Sequence, residues 1–395
     1  DKADPCEPPR RTHLNTPRHA LFAPIAAFVL TLALVYAIGP RDFMTGDTTH
    51  YLAMVRGETA PAPFAYRLLT PGLVKLIPGP PGFGFFLIAY LATLGTLWVM
   101  FRLLRHLDIS RTAAITTCVC LGFSYPLANY LGRWGRIDPL ANLLFILALS
   151  WILRRKLLPA VGVMTIGILA KETLILLLPI LFWQRIRGQA TEPKAWLAAG
   201  TLCLLPIASL IAVRSTIDVA DGSFTMSSPA DMPRIMDEVW SYNVDQFGFP
   251  KRVARDLTKS YGFFWVLAGL ALLAGRRLRR EGLALISLYL IAIGFALCFV
   301  ATDWARMLGT GYPGVFIPVA FFFDRVARRP SGNALLVGFI ALSLLQCYLS
   351  LLIYRDLDRT GQMAMVVTEI LVVMVGASLA VWSSFCRGGR RTAAT

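Results

Sequence analysis

Residues 157–183, LLPAVGVMTIGILAKETLILLLPILFW, contain two apolar runs parted by the dipeptide Lys171-Glu172. A charged pair between apolar segments is expensive in lipid and as a rule lines a cavity. The stretch reads as a short hairpin of two membrane spans, 157–170 and 173–183, with the dipeptide at its tip. An interfacial turn whose side chains snorkel to water is the competing reading.

The rest of the chain supports a membrane setting. Hydrophobic residues make up 56% of the 395 residues and charged residues 16%, where a soluble domain carries about 25% charged. Apolar runs long enough to cross a bilayer of roughly 30 Å recur along the chain. The expected fold class is all-α, a polytopic membrane protein of about twelve transmembrane helices, with interfacial helices in its first outward loop. The net charge of +16 would suit nucleic acid. The basic residues, however, form short clusters between apolar runs, as topology determinants do, so no nucleic-acid partner is expected. The seven cysteines show neither a disulfide framework nor zinc-site spacing.

The tail 1–20 is Pro-rich and reads as disordered. The apolar run 21–39 lacks a small-residue cleavage site and reads as an uncleaved first span. The loop 40–82 follows, with an interfacial helix expected at 66–77 and a rigid PGPPG turn at 78–82. Spans are expected at about 83–104, 112–131 and 139–153, then the hairpin, then 195–213. Residues 214–259 form the one long polar loop, a candidate flap with a short helix. Spans at about 260–275, 282–301, 308–323, 333–353 and 363–383 complete a transmembrane domain over 21–383, and 384–395 is a short basic tail.

With both termini on one side, Lys and Arg outnumber Asp and Glu about threefold there and merely match them on the other side. Such an excess marks the cytoplasm. Both termini are therefore expected in the cytoplasm. The loops 40–82, 132–138, 171–172, 214–259, 302–307 and 354–362 are expected to face outward.

The outward face collects Asp47, His50, Arg67, Arg133, Arg136, Asp138, Lys171, Glu172, Asp303 and Arg306 near span ends, with Tyr66 beside Arg67. Carboxylates among several cations suit a phosphate-bearing substrate: Arg binds two oxygens at once, and a carboxylate can take the proton of an acceptor hydroxyl. Each residue also has a plainer reading. Asp303 and Arg306 are spaced to pair on one helix. Asp138 before Pro139 suits a helix N-cap, as does Asp47 or Thr48. Arg133 and Arg136 suit lipid headgroups, and His50 suits packing. Glu369, inside the last apolar run, reads as a hydrogen-bonded interior residue or one reaching the interface. No metal is required, although Asp47 with Glu58 or Asp138 has the donor types to hold a divalent ion.

Four short segments carry a resemblance to a known superfamily: GDTTHY (46–51), PFAYRLLTP (63–71), AKET (170–173) and TDWARM (302–307). Their order and sidedness resemble the GT-C integral membrane glycosyltransferases. These include protein mannosyltransferases and lipid A aminoarabinose transferases. PFAYRLLTP and TDWARM look most like segments of uncharacterised bacterial relatives. The resemblance implies a polyprenyl-phosphate sugar donor, an inverting transfer at the outward face of a bacterial inner membrane, and a role in building cell-envelope glycans. It implies Asp47 as general base, with Arg67, Lys171 or Arg306 on the lipid phosphate. It leaves the acceptor open among glycan, lipid and protein. The chain departs from some members in lacking an adjacent acidic pair, since Asp42 stands apart from Asp47, and in having no large soluble C-terminal domain.

Two other classes compete. A twelve-span secondary transporter fits the count, yet the halves show no similarity, and the charges gather at one face instead of the midplane. A lipid-donor acyl- or phosphotransferase would use the same cations.

Overall fold

The computed structural model describes residues 22–38, 46–220, 233–234, 236–238, 241, 249–299, 301 and 303–355. The tail 1–20, Asp42, most of 221–248, the turn at 356–362, the expected span 363–383 with Glu369, and the tail 384–395 lie outside the described residues. Cys6 and Cys386 do too.

Every described element is helical. Among the described residues the extended pairing amounts to one parallel bridge, Pro61 to Ala220. The first half holds α1 (Phe22–Ile38), α2 (Gly46–Arg56), α3 (Leu69–Leu76), α4 (Pro81–His106), α5 (Arg111–Gly122), α6 (Tyr125–Gly132), α7 (Asp138–Leu153), α8 (Leu157–Ile168), α9 (Leu178–Ile186) and α10 (Pro193–Thr216). The second holds α11 (Phe249–Ser260), α12 (Phe264–Ala274), α13 (Arg276–Arg280), α14 (Leu283–Cys298), α15 (Trp304–Thr310), α16 (Tyr312–Ala327) and α17 (Gly332–Arg355). Several starts follow from proline at the first helical positions, where a missing N–H costs nothing: Pro81, Pro126, Pro139, Pro193 and Pro313 all sit there.

By length and composition α4 and α10 can each cross a membrane, and α15 with α16, bent by 62°, make a third if taken as one span. The other apolar helices are shorter. The outer surface is apolar: Leu158 and Leu197 are each 74% exposed, and Leu205, Ile211, Leu285, Leu288 and Val337 also lie bare. A water-soluble monomer does not carry that much contiguous hydrocarbon. The buried set, by contrast, includes Arg67, Arg136, Asp138 and Lys171. This apolar-outside, charged-inside pattern is that of a helical membrane protein.

The helices connect at two ends. At one end Arg277 of α13 donates to the Leu107 carbonyl, Asp324 of α16 accepts from the Ser110 N–H, Arg154 donates to the Arg102 carbonyl, and Arg187 donates to the Glu281 carbonyl. At the other end Leu69 N–H donates to the Leu169 carbonyl at 2.8 Å, tying α3 to the break after α8.

Three expected spans are built differently. The run 112–131 is broken after α5, and α6 resumes at Tyr125. Pro126 cannot continue the preceding helix, and the Ser124 hydroxyl takes up the Leu121 carbonyl at 2.6 Å. The run 173–183 opens as a 3-10 turn, Glu172–Leu177, before α9. Gly167 makes room for it: a Cβ there would run into the Leu174 side chain. Third, much of the expected loop TDWARM is the helix α15, which bends into α16 at Gly311. The carbonyls of Leu308 and Gly309, near that bend, lie 3.0 Å from the buried Tyr261 hydroxyl. Irregular backbone at membrane depth survives when the protein supplies such a partner.

The helix expected in the loop 40–82 is present as α3, which is too short to span, preceded by a 3-10 turn at Phe64–Tyr66. The helix sought in 214–259 is α11.

Candidate functional site

Charged residues from five separate segments meet at the end where α3 touches the break after α8. Asp47, in the first turn of α2, accepts from Arg306 Nη1 at 2.6 Å. Arg306 Nε lies 3.8 Å from Asp138 Oδ2, and Asp138 Oδ1 accepts from Lys171 Nζ at 2.6 Å. These contacts form one chain, Asp47–Arg306–Asp138–Lys171, across residues far apart in sequence. Beside it Arg67 grips both oxygens of Glu172, at 2.9 and 3.2 Å, and donates to the Tyr51 hydroxyl at 3.0 Å. Arg136 Nη1 faces Asp303 at 3.6 Å.

Local structure explains each placement. Asp303 caps α15 by accepting from the Arg306 N–H at 3.2 Å. The pairing suggested by their i, i+3 spacing is thus side chain to backbone, which frees the Arg306 guanidinium for Asp47. Asp138 is the first residue of α7, and its carboxylate goes to Lys171. Lys171 has an extended backbone and its N–H still bonds the Gly167 carbonyl at 2.9 Å, so the chain leaves α8 with the ammonium turned inward.

The electrostatics follow from burial. Burial raises the Glu172 carboxyl, but the charge and hydrogen bonds of Arg67 outweigh it and hold the group at about 2. Burial likewise raises Asp303; Arg306, Arg136 and Lys259 reverse the shift, so it lies below its ordinary value. Burial pulls the Lys171 ammonium down, with Asp138 opposing. The Tyr51 hydroxyl is pushed by burial to about 12 and stays neutral toward Arg67.

Not every expected residue joins the cluster. His50 stacks on Phe64, ring centroids 4.4 Å apart, which is the packing role. Tyr66 lies under the Arg214 guanidinium, 5.4 Å from its ring. Arg133 flanks the site, close enough to weigh on the charge of Lys259. A metal between Asp47 and Asp138 would have to share the space with the Arg306 guanidinium, which contacts both. Among the described residues no three His, Cys, Asp or Glu side chains come together in a metal-binding group.

The cations expected on a phosphate also serve the protein itself. Arg67, Lys171 and Arg306 each already face a carboxylate. Buried charges demand partners, so these three help to hold the loops together. Beside these pairs lie Arg133, Arg136, which faces Asp303, and a residue absent from the sequence-based set, Lys259. Lys259 ends α11, with its ammonium 4.3 Å from the Tyr125 ring centroid. Burial lowers it to about 8, against the pull of Asp303 and Asp256. Its signal in the sequence was the strongly amphipathic segment FPKRVARDLTKS, whose Asp256 and Ser260 are buried.

Among the described residues the buried Nε of Arg136 has no hydrogen-bond acceptor, and Arg136 Nη1 and Arg306 Nε meet Asp303 and Asp138 only at 3.6 and 3.8 Å, beyond hydrogen-bond reach. Each costs free energy unless an acceptor arrives. An anion between α11 and α15 would supply one.

The four carboxylates differ in what they can do. Asp138 is sealed, with a 5% exposed side chain. Both oxygens of Glu172 are held by Arg67, and Asp303 caps α15. Asp47 is 24% exposed and, among the described residues, bonded through one oxygen only. Asp303 is 35% exposed and is also hydrogen-bonded through one oxygen, but its other oxygen faces Arg136 at 3.6 Å; Asp47 is the acid whose second oxygen has no cation beside it among the described residues.

No protein-family model and no curated protein matches this chain.

Proposed function

We propose that the chain is a GT-C-type membrane glycosyltransferase of about twelve spans. In this reading both termini are cytoplasmic, the charged cluster faces outward across a bacterial inner membrane, and the product belongs to the cell envelope. The observation that carries the reading is the meeting, at one end of an apolar helical body, of Asp47, one of whose oxygens has no hydrogen bond among the described residues, with the guanidinium groups of Arg136 and Arg306, whose buried donors are not all hydrogen-bonded. The basic character of the opposite end, with Arg105, Arg154, Arg155, Lys156, Arg277 and Arg328, supports that orientation.

The donor's polyprenyl tail lies in the bilayer, and its phosphate sits against Arg136, Lys259 and Arg133, with Arg306 Nε adjacent. The acceptor hydroxyl, on a glycan, lipid or protein, enters from water beside Asp47. Its oxygen bonds to the sugar's anomeric carbon as the bond from that carbon to the phosphate oxygen breaks. The electron pair of that bond leaves with the polyprenyl phosphate, where the cations stabilise it. The hydroxyl proton passes to Asp47. Arg67, Lys171, Asp138 and Glu172 position the loops and touch no reacting atom.

The test is turnover of a labelled polyprenyl-phosphate sugar by the purified chain in detergent. Asp47→Asn should abolish transfer while the protein stays folded. Wild-type turnover in that variant removes Asp47 as the base. Solute uptake by vesicles without any transfer would instead support a transporter.

A further inference from the structure

A second site lies at the opposite end of the helical body. A wide-open cavity of about 820 Å³, a surface groove more than an enclosed pocket, lies between the start of α8, the end of α9 and the start of α10. Four cations line it, Arg155, Lys156, Arg185 and Lys194, and its lining contains no carboxylate. Glu192 is adjacent in sequence but is exposed and does not line it. The remaining wall is mostly hydrocarbon, including Leu157 and Leu197.

Three features point to the class of ligand. First, α8 and α10 both present their N-termini here, and neither has a side-chain cap. Pro159 and Pro193 remove one N–H from each first turn and the Ala195 N–H bonds the Glu192 carbonyl, so the helix starts contribute chiefly the positive ends of two dipoles to the four side-chain charges. Second, Arg155 holds a left-handed backbone, φ 58°, a conformation costly for a residue other than glycine. Third, the apolar wall runs out onto the bare flank of the protein, where Leu158 and Leu197 are each 74% exposed. Trp196, 47% exposed, stands in the same turn of α10 and packs edge-on against Phe182 at 5.4 Å. Half-exposed tryptophan marks the headgroup level of a bilayer.

We infer that this cavity binds an anionic phospholipid: the phosphate lies among Arg155, Lys156, Arg185 and Lys194, and an acyl chain follows Leu157 and Leu197 out to the bilayer. A free phosphate ester would use the cations and leave the hydrocarbon wall unused. The site is remote from Asp47 and independent of the transferase reading.

The experiment is native mass spectrometry of the full chain in detergent, titrated with dioleoyl phosphatidylglycerol or dioleoyl phosphatidylcholine. Phosphatidylglycerol should be retained in preference to phosphatidylcholine. Each cation removed near such a headgroup weakens binding about fivefold. Lys156→Gln with Lys194→Gln should therefore weaken phosphatidylglycerol roughly 25-fold and leave phosphatidylcholine unchanged. Both lysines are exposed, and the Lys156→Arg, Lys194→Arg pair should keep wild-type retention. Equal retention of the two lipids overturns the inference, as does undiminished phosphatidylglycerol binding in the glutamine pair. Displacement by an equal concentration of glycerol 1-phosphate would make this a soluble phosphate site and overturn it as well.

Discussion

Asp138→Asn distinguishes an acid that holds the site together from one that reacts. The Asp138 carboxylate is 5% exposed and the Lys171 ammonium 6%, at 2.6 Å. Arg306 approaches the same carboxylate at 3.8 Å. Neutralising it leaves Lys171 buried without its partner, and breaking a buried pair from one side costs about 3–5 kcal/mol. Asp47 is 24% exposed, and its loss leaves Arg306 facing Asp138. The stability cost of Asp47→Asn should be about 1 kcal/mol, in the range of solvent-accessible pairs. The double variant Asp138→Asn, Lys171→Met removes both charges and should recover most of the loss, since an uncompensated charge and not a missing attraction dominates it. The measurement is equilibrium unfolding in detergent micelles, followed by tryptophan fluorescence, with turnover assayed on the same preparations. Asp47→Asn should be stable and inactive, and Asp138→Asn unstable. The reasoning fails if Asp138→Asn unfolds like wild type, if the double variant is no more stable than the single, or if Asp47→Asn is the less stable of the two acids.

Arg67→Lys should cost about 1.5–3 kcal/mol of stability despite keeping its charge, because an ammonium cannot bridge two Glu172 oxygens and Tyr51 together; unfolding of this variant indistinguishable from wild type would contradict it. Glu172 is held near 2 in the fold against an ordinary 4.5, so the unfolded chain takes up the proton first and stability falls as pH drops through that window. Glu172→Gln should flatten that part of the acid-unfolding curve. Lys259 loses its proton near pH 8 in the fold, so donor affinity should decline from about pH 7 to 9, and Lys259→Arg should keep it level across that range. Gly314→Ala places a Cβ 2.6 Å from the Ser287 carbonyl and should destabilise the α14–α16 contact by about 1–3 kcal/mol. Gly269→Ala, with nothing within 4 Å, serves as the control and should be neutral or slightly stabilising.

The amino-acid sequence by itself determined the helical membrane character and most helix positions. Apolarity over a run of residues, proline at a helix start and basic clusters at its end are local properties, so α4, α7, α10 and α14 could be read directly. It also singled out Asp47, Arg67, Asp138, Lys171, Glu172, Asp303 and Arg306 as misplaced polarity needing a reason. Tertiary structure decided who pairs with whom. Arg306 meets Asp47 across 259 residues and Arg67 meets Glu172 across 105; those choices depend on the register in which helices pack. The break at Ser124 has a local cause in Pro126 and the Ser124 hydroxyl, whereas the bend at Gly311 was equally invisible, because the Tyr261 hydroxyl that takes up its carbonyls comes from elsewhere in the chain. Lys259 escaped notice for the same reason: on a polar amphipathic helix a lysine looks solvated until packing buries it.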